Sequence, residues 1–466
     1  MARLSTKTTF KIGPHFFAAL IIILIGALMV GYLLTMLSAV HSFVLVILLL
    51  IFICVFVWPE AGLYVVIFSM LLSPEIIVGD VGGMAATAGR GFTLRLEDFL
   101  LVFIGLSWFA RTALDKTAGL FRNTPLNQPI ASYIIISFVA TLWGKMTGHV
   151  EGFAGFFFVL KYFEYMIVFF MVVNYVNSED QARRLLFCLF FTCFIVSIYG
   201  LSQIPSGGRV SAPFEGEIGE PNTFGGYLVF MGALAVALID HLKDIRLRLG
   251  LALLLVVLLI SLLYTQSRAS YMAVIPAYLT FSFFSPRRVY LVAGLIVILA
   301  LSPFIVPRVA KERMAYTFTQ PTTKGQVQFG RFRLDTSASS RIIGFKEGLS
   351  AWRKSPFLGH GVTGFRFMDA QYPRILVETG TMGILAFAWL IYVIFRVGLS
   401  ALSEQQDDLM RGLSVGLIAG LVGLLVHAIG ANTFIIVRIM EPFWFLVGIV
   451  IALDSIHEKK SHESAY

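Results

Sequence analysis

Apolar runs of about 17 to 25 residues without a charge recur from one end of the chain to the other, roughly the length a helix needs to cross about 30 Å of hydrocarbon. The 466 residues are 58% hydrophobic and only 14% charged, too apolar for a soluble globular domain. The expected fold is an all-α integral membrane protein, a single polytopic domain over residues 1–466 with about fourteen transmembrane helices. The predicted spans are 14–37, 39–58, 60–77, 97–113, 129–147, 154–177, 184–203, 222–240, 247–264, 268–285, 288–305, 373–396, 411–430 and 433–453. Arg3, Lys7 and Lys11 flank the first as in a signal peptide, but the segment is too long and lacks a small-residue cleavage site. It reads as an uncleaved span.

Basic residues of short loops stay cytoplasmic, so their placement orients the helices. With the N-terminus inside, one side collects Arg111, Lys116 and Arg122; Arg183 and Arg184; Lys243, Arg246 and Arg248; Arg287 and Arg288; Arg396 and Arg411; and Lys459 and Lys460. Both termini are then cytoplasmic. Three polar loops, roughly 78–96, 204–221 and 306–372, face the other side.

The loop over 306–372 breaks the basic-inside pattern. Between Arg308 and Asp369 it carries eleven Lys/Arg against four Asp/Glu, a net charge of +7. Two readings stand: a solvated loop touching anionic headgroups, or an electrostatic trap for a negatively charged substrate. No nucleic-acid partner is expected, because the charge lies on the non-cytoplasmic side and carries no recognition motif. Cys54, Cys188 and Cys193 fall inside spans and predict neither disulfides nor a metal cluster.

Within this loop Ser339 or Ser340 can cap an amphipathic helix with Ile342, Phe345, Leu349 and Trp352 on its apolar stripe. Pro373 favours the first position of the following span, which puts Asp369 through Tyr372 just before a helix N-terminus with Arg374 in its first turn. Such an end offers free N–H groups and partial positive charge to a phosphate.

Arg209 and Arg268 also fall on the non-cytoplasmic side. A guanidinium there matches phosphate oxygens in a bidentate fork, or alternatively snorkels to a lipid headgroup. Asn222 can cap the span that follows Glu220 and Pro221. Glu215, Glu217 and Glu220 form an acidic patch that either supplies a base or stays solvated. Inside the bilayer, Lys161 with Glu164 and Arg438 with Glu441 are each three apart, so each couple can pair on one helix face. His427 near the outer end of its span reads as a satisfied core histidine or a base.

Three separated stretches resemble the O-antigen ligases and O-antigen polymerases. They are Arg209 with Glu220-Pro221-Asn222-Thr223-Phe224-Gly225; Thr265-x-Ser267-Arg268; and the run from Arg341 through Trp352, Pro356, Gly359-His360-Gly361 and Phe365 to Tyr372, Glu378-Thr379-Gly380 and Gly383. The resemblance covers about residues 200–390. It implies a membrane glycosyltransferase of the bacterial inner membrane with its site at the periplasmic face. The donor would be an undecaprenyl-diphosphate-linked oligosaccharide, the acceptor a glycan or lipid A core, and the transfer inverting and metal-independent, without a cofactor.

By position, Arg209 and Arg268 would hold the diphosphate, with Arg374 and Arg341 beside them. The family's ligases carry a histidine eleven residues before their Gly-x-x-Gly segment, where this chain has Asp369. An ionised Asp369 can take a proton from a hydroxyl but cannot act as a cation, so His360 or His427 would have to supply that part. Glu378, Tyr372 and Asn222 complete the secondary candidates. No Walker segment, dinucleotide fingerprint or Asp-x-Asp signature is present, in keeping with a donor that brings its own leaving group. Polymerisation of repeat units is the leading expectation and ligation the alternative. From another class, a flippase of lipid-linked saccharides remains, although no inverted repeat supports it.

Overall fold

The computed structural model describes residues 39–77, 93–114, 122–215, 219–329, 332–402 and 407–464. The predicted span 14–37 and Glu217 lie outside them. All thirteen other apolar segments form helices: α1 (Ala39–Val57), α2 (Pro59–Leu72), α3 (Leu96–Leu114), α4 (Asn127–Met146), α5 (Ala154–Tyr175), α6 (Glu179–Ser202), α7 (Pro221–His241), α8 (Ile245–Tyr264), α9 (Arg268–Phe284), α10 (Arg288–Ile305), α13 (Gln371–Ser400), α14 (Asp408–His427) and α15 (Val437–Ser464). Between α10 and α13 stand α11 (Arg308–Thr319) and α12 (Thr336–Trp352). Two short antiparallel ladders pair β1 (Glu75–Ile77) with β2 (Thr93–Arg95) and β3 (Gln328–Phe329) with β4 (Phe332–Arg333).

Among the described residues nine helices are long and apolar enough to cross a bilayer. The segment expected over 60–77 stops at Leu72, because Pro74 pushes Ser73 into extended backbone (φ −82°, ψ 129°). The chain then enters β1.

The buried centre is α14, packed on α7 and α9. Gly412, Gly416 and Gly420 recur every fourth residue along one face of α14, where a Cβ would press into Leu238, Leu234 and Phe230 of α7. Removing side chains from that stripe lets two helices approach closely where lipid offers no hydrophobic drive. By contrast α10 has no fully buried residue and touches the bundle along α9, where the Tyr278 hydroxyl donates to Leu291 O at 3.3 Å.

The basic loops gather at one end. Arg184 pairs with Glu60, Arg183 with Glu179 and Asp407, Lys243 with Asp408, Arg287 with Asp240, and Lys460 with Glu179. The segments holding Arg209, Arg268 and Asp369 occupy the opposite ends of the same helices.

Candidate functional site

Helix α13 is broken where the sequence reads Glu378-Thr379-Gly380. Gly380 has φ 65° and ψ −162°, outside the helical region, and a Cβ there would meet the Phe357 carbonyl. The loop following α12 fills the break. His360 N–H donates to Val377 O at 2.9 Å, Gly361 N–H to Glu378 O at 2.8 Å and Thr381 N–H to Pro356 O at 2.8 Å. Backbone groups freed by the break are thus paired by another loop, the condition for irregular backbone inside a membrane protein.

That arrangement decides several candidates. Arg374 is buried and pairs with Glu378 (Nε to Oε1, 3.1 Å), its guanidinium near the rings of Phe158 and Phe367. Glu378 also accepts the Thr363 N–H at 3.1 Å. Both side chains therefore brace α13. His360 is buried edge-on against His149 with centroids 4.7 Å apart, and its Nδ1 faces Val377 O at 3.3 Å. Burial lowers its pKa, with His149 and Lys354 adding to the effect against the Val377 carbonyl. The Tyr372 hydroxyl donates to Leu425 O at 2.5 Å and fastens α13 to α14.

Asp369 is held from behind. Asn432 donates to Met368 O at 2.8 Å, Gln371 N–H donates to Ala428 O at 3.1 Å, and Gln371 Oε1 accepts the Phe434 N–H at 2.9 Å. The Asp369 side chain, 38% exposed, meets Arg341 Nη2 at 3.2 Å. Both residues line a cavity of about 440 Å³ together with Lys324, Ser340, Phe367 and Pro373.

Arg341 projects from α12, whose cap is Asp335, accepting the Ala338 N–H at 2.9 Å; the caps expected at Ser339 or Ser340 are not used. Ser339 is buried instead, and its hydroxyl accepts the Val327 N–H at 2.8 Å. Asp335 does a second thing: it pairs with Arg268 Nη1 at 2.6 Å. Arg268 Nη1 also donates to Thr317 Oγ1 of α11 at 2.6 Å.

Arg209 reaches the same place from the loop before α7. Its Nε donates to Thr265 O at 3.0 Å and its Nη2 to Asn222 Oδ1 at 3.2 Å. Asn222 thus does not cap α7, which starts at Pro221 after Glu220; its side chain orients Arg209. Burial lowers the Arg209 pKa to about 10, with Arg313, Arg268 and Arg341 pushing the same way. Arg313 on α11 is likewise lowered by burial and by Arg268 and Arg341, against the pull of Asp335 and Tyr316. Four guanidiniums therefore share one site, and Arg313 is a member that no sequence motif singled out. Its only signal was its place in a basic loop. His427, fully buried beside the Asn222 backbone, bonds Thr433 Oγ1 through Nδ1 at 2.8 Å.

Residues 253–388 match the O-antigen ligase family. The match supports a place in the O-antigen ligase and polymerase family and takes in Arg268, Arg313, Asp335, Arg341 and Asp369. Arg209 lies upstream of the matched stretch and joins it only in space. No curated protein matches the chain. The family and the apolar helices together describe a multi-pass membrane protein whose relatives handle lipid-linked glycans.

Two buried groups depart from expectation nearby. Glu215 is not solvated: it is 7% exposed, accepts the Ala212 and Glu220 N–H groups at 3.2 and 2.8 Å, and faces Arg438 at 3.7 Å. Arg438 also reaches the loop before α7. It donates to Pro213 O at 2.7 Å and Phe214 O at 3.1 Å, so it clamps the loop that carries Arg209. Lys161 pairs with Glu164 at 3.2 Å as expected, and with Asp98 of α3 as well.

Proposed function

We propose that this chain transfers a saccharide from an undecaprenyl-diphosphate-linked donor to a sugar acceptor, with its site on the periplasmic side of the bacterial inner membrane. The carrying observation is that Arg341 and Asp369 line one cavity while Arg209 and Arg268, distant in sequence, stand close enough to Arg341 and to each other for their charges to interact.

The chemistry follows from that set. The acceptor hydroxyl oxygen attacks the anomeric carbon while the bond from that carbon to the diphosphate oxygen breaks, and its electron pair leaves with the diphosphate. Asp369 takes the hydroxyl proton as general base. The arginine cluster stabilises negative charge that grows on the leaving group, and preorganised cations of this kind need no reorganisation during the reaction. Attack opposite the departing diphosphate inverts the anomeric centre. Asp369 opens to the 440 Å³ cavity, large enough for part of an acceptor glycan.

The favoured product is a lengthened chain on the lipid carrier, as in polymerisation of O-antigen or exopolysaccharide repeat units. The description of the matched family favours a second reading, ligation to lipid A core. The test is turnover of a lipid-diphosphate oligosaccharide by the purified protein in proteoliposomes. Longer chains on the carrier support polymerisation, glycan moved off the carrier supports ligation, and transbilayer movement without a new glycosidic bond refutes both.

A further inference from the structure

Another cavity, of about 590 Å³, lies at the end of the bundle opposite the arginine cluster, where the basic loops gather. It is lined by His241 at the end of α7, by Phe284, Pro286 and Arg288 around the α9–α10 turn, by Leu402 after α13 and by Arg411 of α14. Two carboxylates stand nearby, and other bases already pair with them. Asp240 accepts the Ser285 hydroxyl at 2.6 Å and pairs with Arg287. Asp408 pairs with Lys243 at 2.8 Å and lies within electrostatic reach of Arg411 and His241. The Arg288 side chain, by contrast, makes no hydrogen bond or ion pair among the described residues. His241 gives its Nδ1 proton to Ala237 O at 2.9 Å, which leaves Nε2 for a ligand.

The surroundings of Arg288 say which kind of anion fits. Phe284, Pro286 and Leu402 make part of the wall apolar, and Phe283, Val289 and Tyr290 beside Arg288 are exposed. Helix α10 begins at Arg288 and has no fully buried residue, so its flank is open to acyl chains next to the cation. A guanidinium in the first turn of an apolar helix, with aromatic rings at the same level, matches the phosphate level of a bilayer. The positive end of the α10 dipole adds to its charge. We propose that this cavity binds the phosphate of an anionic membrane lipid, with Arg288 as the main cation and Arg411 and His241 behind it. A phosphodiester headgroup carries a negative charge on oxygens that an Arg fork can hold in pairs, and Arg288 gives up no existing partner to take them. A lipid held there bridges the α9–α10 turn and α14.

The test titrates the full-length purified protein with phosphatidylglycerol or phosphatidylcholine and counts bound lipid by native mass spectrometry. The wild type should take up phosphatidylglycerol in clear preference to phosphatidylcholine. Arg288→Ala should weaken that uptake about fivefold, the worth of one basic residue at a lipid surface, and Arg288→Lys should recover part of it. Arg246→Ala removes an exposed charge from the same end without touching the cavity and should leave the preference unchanged. Equal uptake of the two lipids by the wild type, full preference in Arg288→Ala, or an equal loss in Arg246→Ala overturns the proposal. Inorganic phosphate that binds through Arg288, with no preference for the lipid, overturns the lipid as its source.

Discussion

Asp369 and Arg341 are 28 residues apart and meet side chain to side chain, Oδ2 to Nη2 at 3.2 Å, at the mouth of a cavity. One comes from the segment just before α13 and the other from α12, so the contact joins a partly exposed carboxylate to the rim of the arginine cluster.

Replacing Asp369 by Ala or Asn should lower turnover by about 10²- to 10⁴-fold, the usual contribution of a general base. The KM for the donor should change little, because the remaining arginines still bind it. Wild-type turnover in both variants, measured on a lipid-diphosphate oligosaccharide, would refute the base assignment.

Asp335 both caps α12 and neutralises Arg268. Asp335→Asn keeps an oxygen for the cap but leaves Arg268 buried without its counter-charge, a change costing about 3–5 kcal/mol. Loss of a cap alone costs about 1 kcal/mol. Melting temperatures of Asp335→Asn and Asp335→Ala should therefore fall by similar amounts; a mild effect for Asn would mean that the cap dominates.

At Gly380 the backbone is open almost only to glycine, and a Cβ would strike the Phe357 carbonyl. Gly380→Ala should cost about 1–3 kcal/mol from strain alone, and the collision adds to it. The expected result is a lower melting temperature together with faster proteolysis of the 356–361 loop. Unchanged melting would show that the break in α13 tolerates a side chain.

Glu215 carries a pH signature. Burial raises its pKa to about 8 from 4.5, Arg438 and Arg95 lowering it and Glu220 raising it. The folded state then binds more protons than the unfolded chain between those values, so the contribution of Glu215 to stability falls as pH rises from about 4.5 to about 8. Glu215→Gln should remove that slope. Thermal melts of both proteins across the window check it, and parallel curves would show that Glu215 does not titrate there.

Much of the helix pattern was legible because lipid acts on local composition: a charge-free apolar run is helical whatever its neighbours do. Those runs, from Ala39 on, became α1–α10 and α13–α15, and the basic loops flanking them came to share one end. Motif spacing also led to Arg209, Arg268, Arg341 and Asp369, whose side chains converge. It failed where a side chain's role depends on what stands opposite. Arg374 looked like a phosphate ligand yet is consumed by Glu378 four residues on, and Asn222 looked like a cap yet orients Arg209.

The sequence by itself determined which segments from Ala39 on are apolar helices and which basic loop stays polar, since hydropathy and charge are properties of short stretches. Only the tertiary structure decided that Asp335 pairs with Arg268, that Asn222 orients Arg209, and that Arg438 clamps the loop of Glu215. Coulomb energy and desolvation depend on distance in space and on what surrounds a charge, and neither is written in the order of residues.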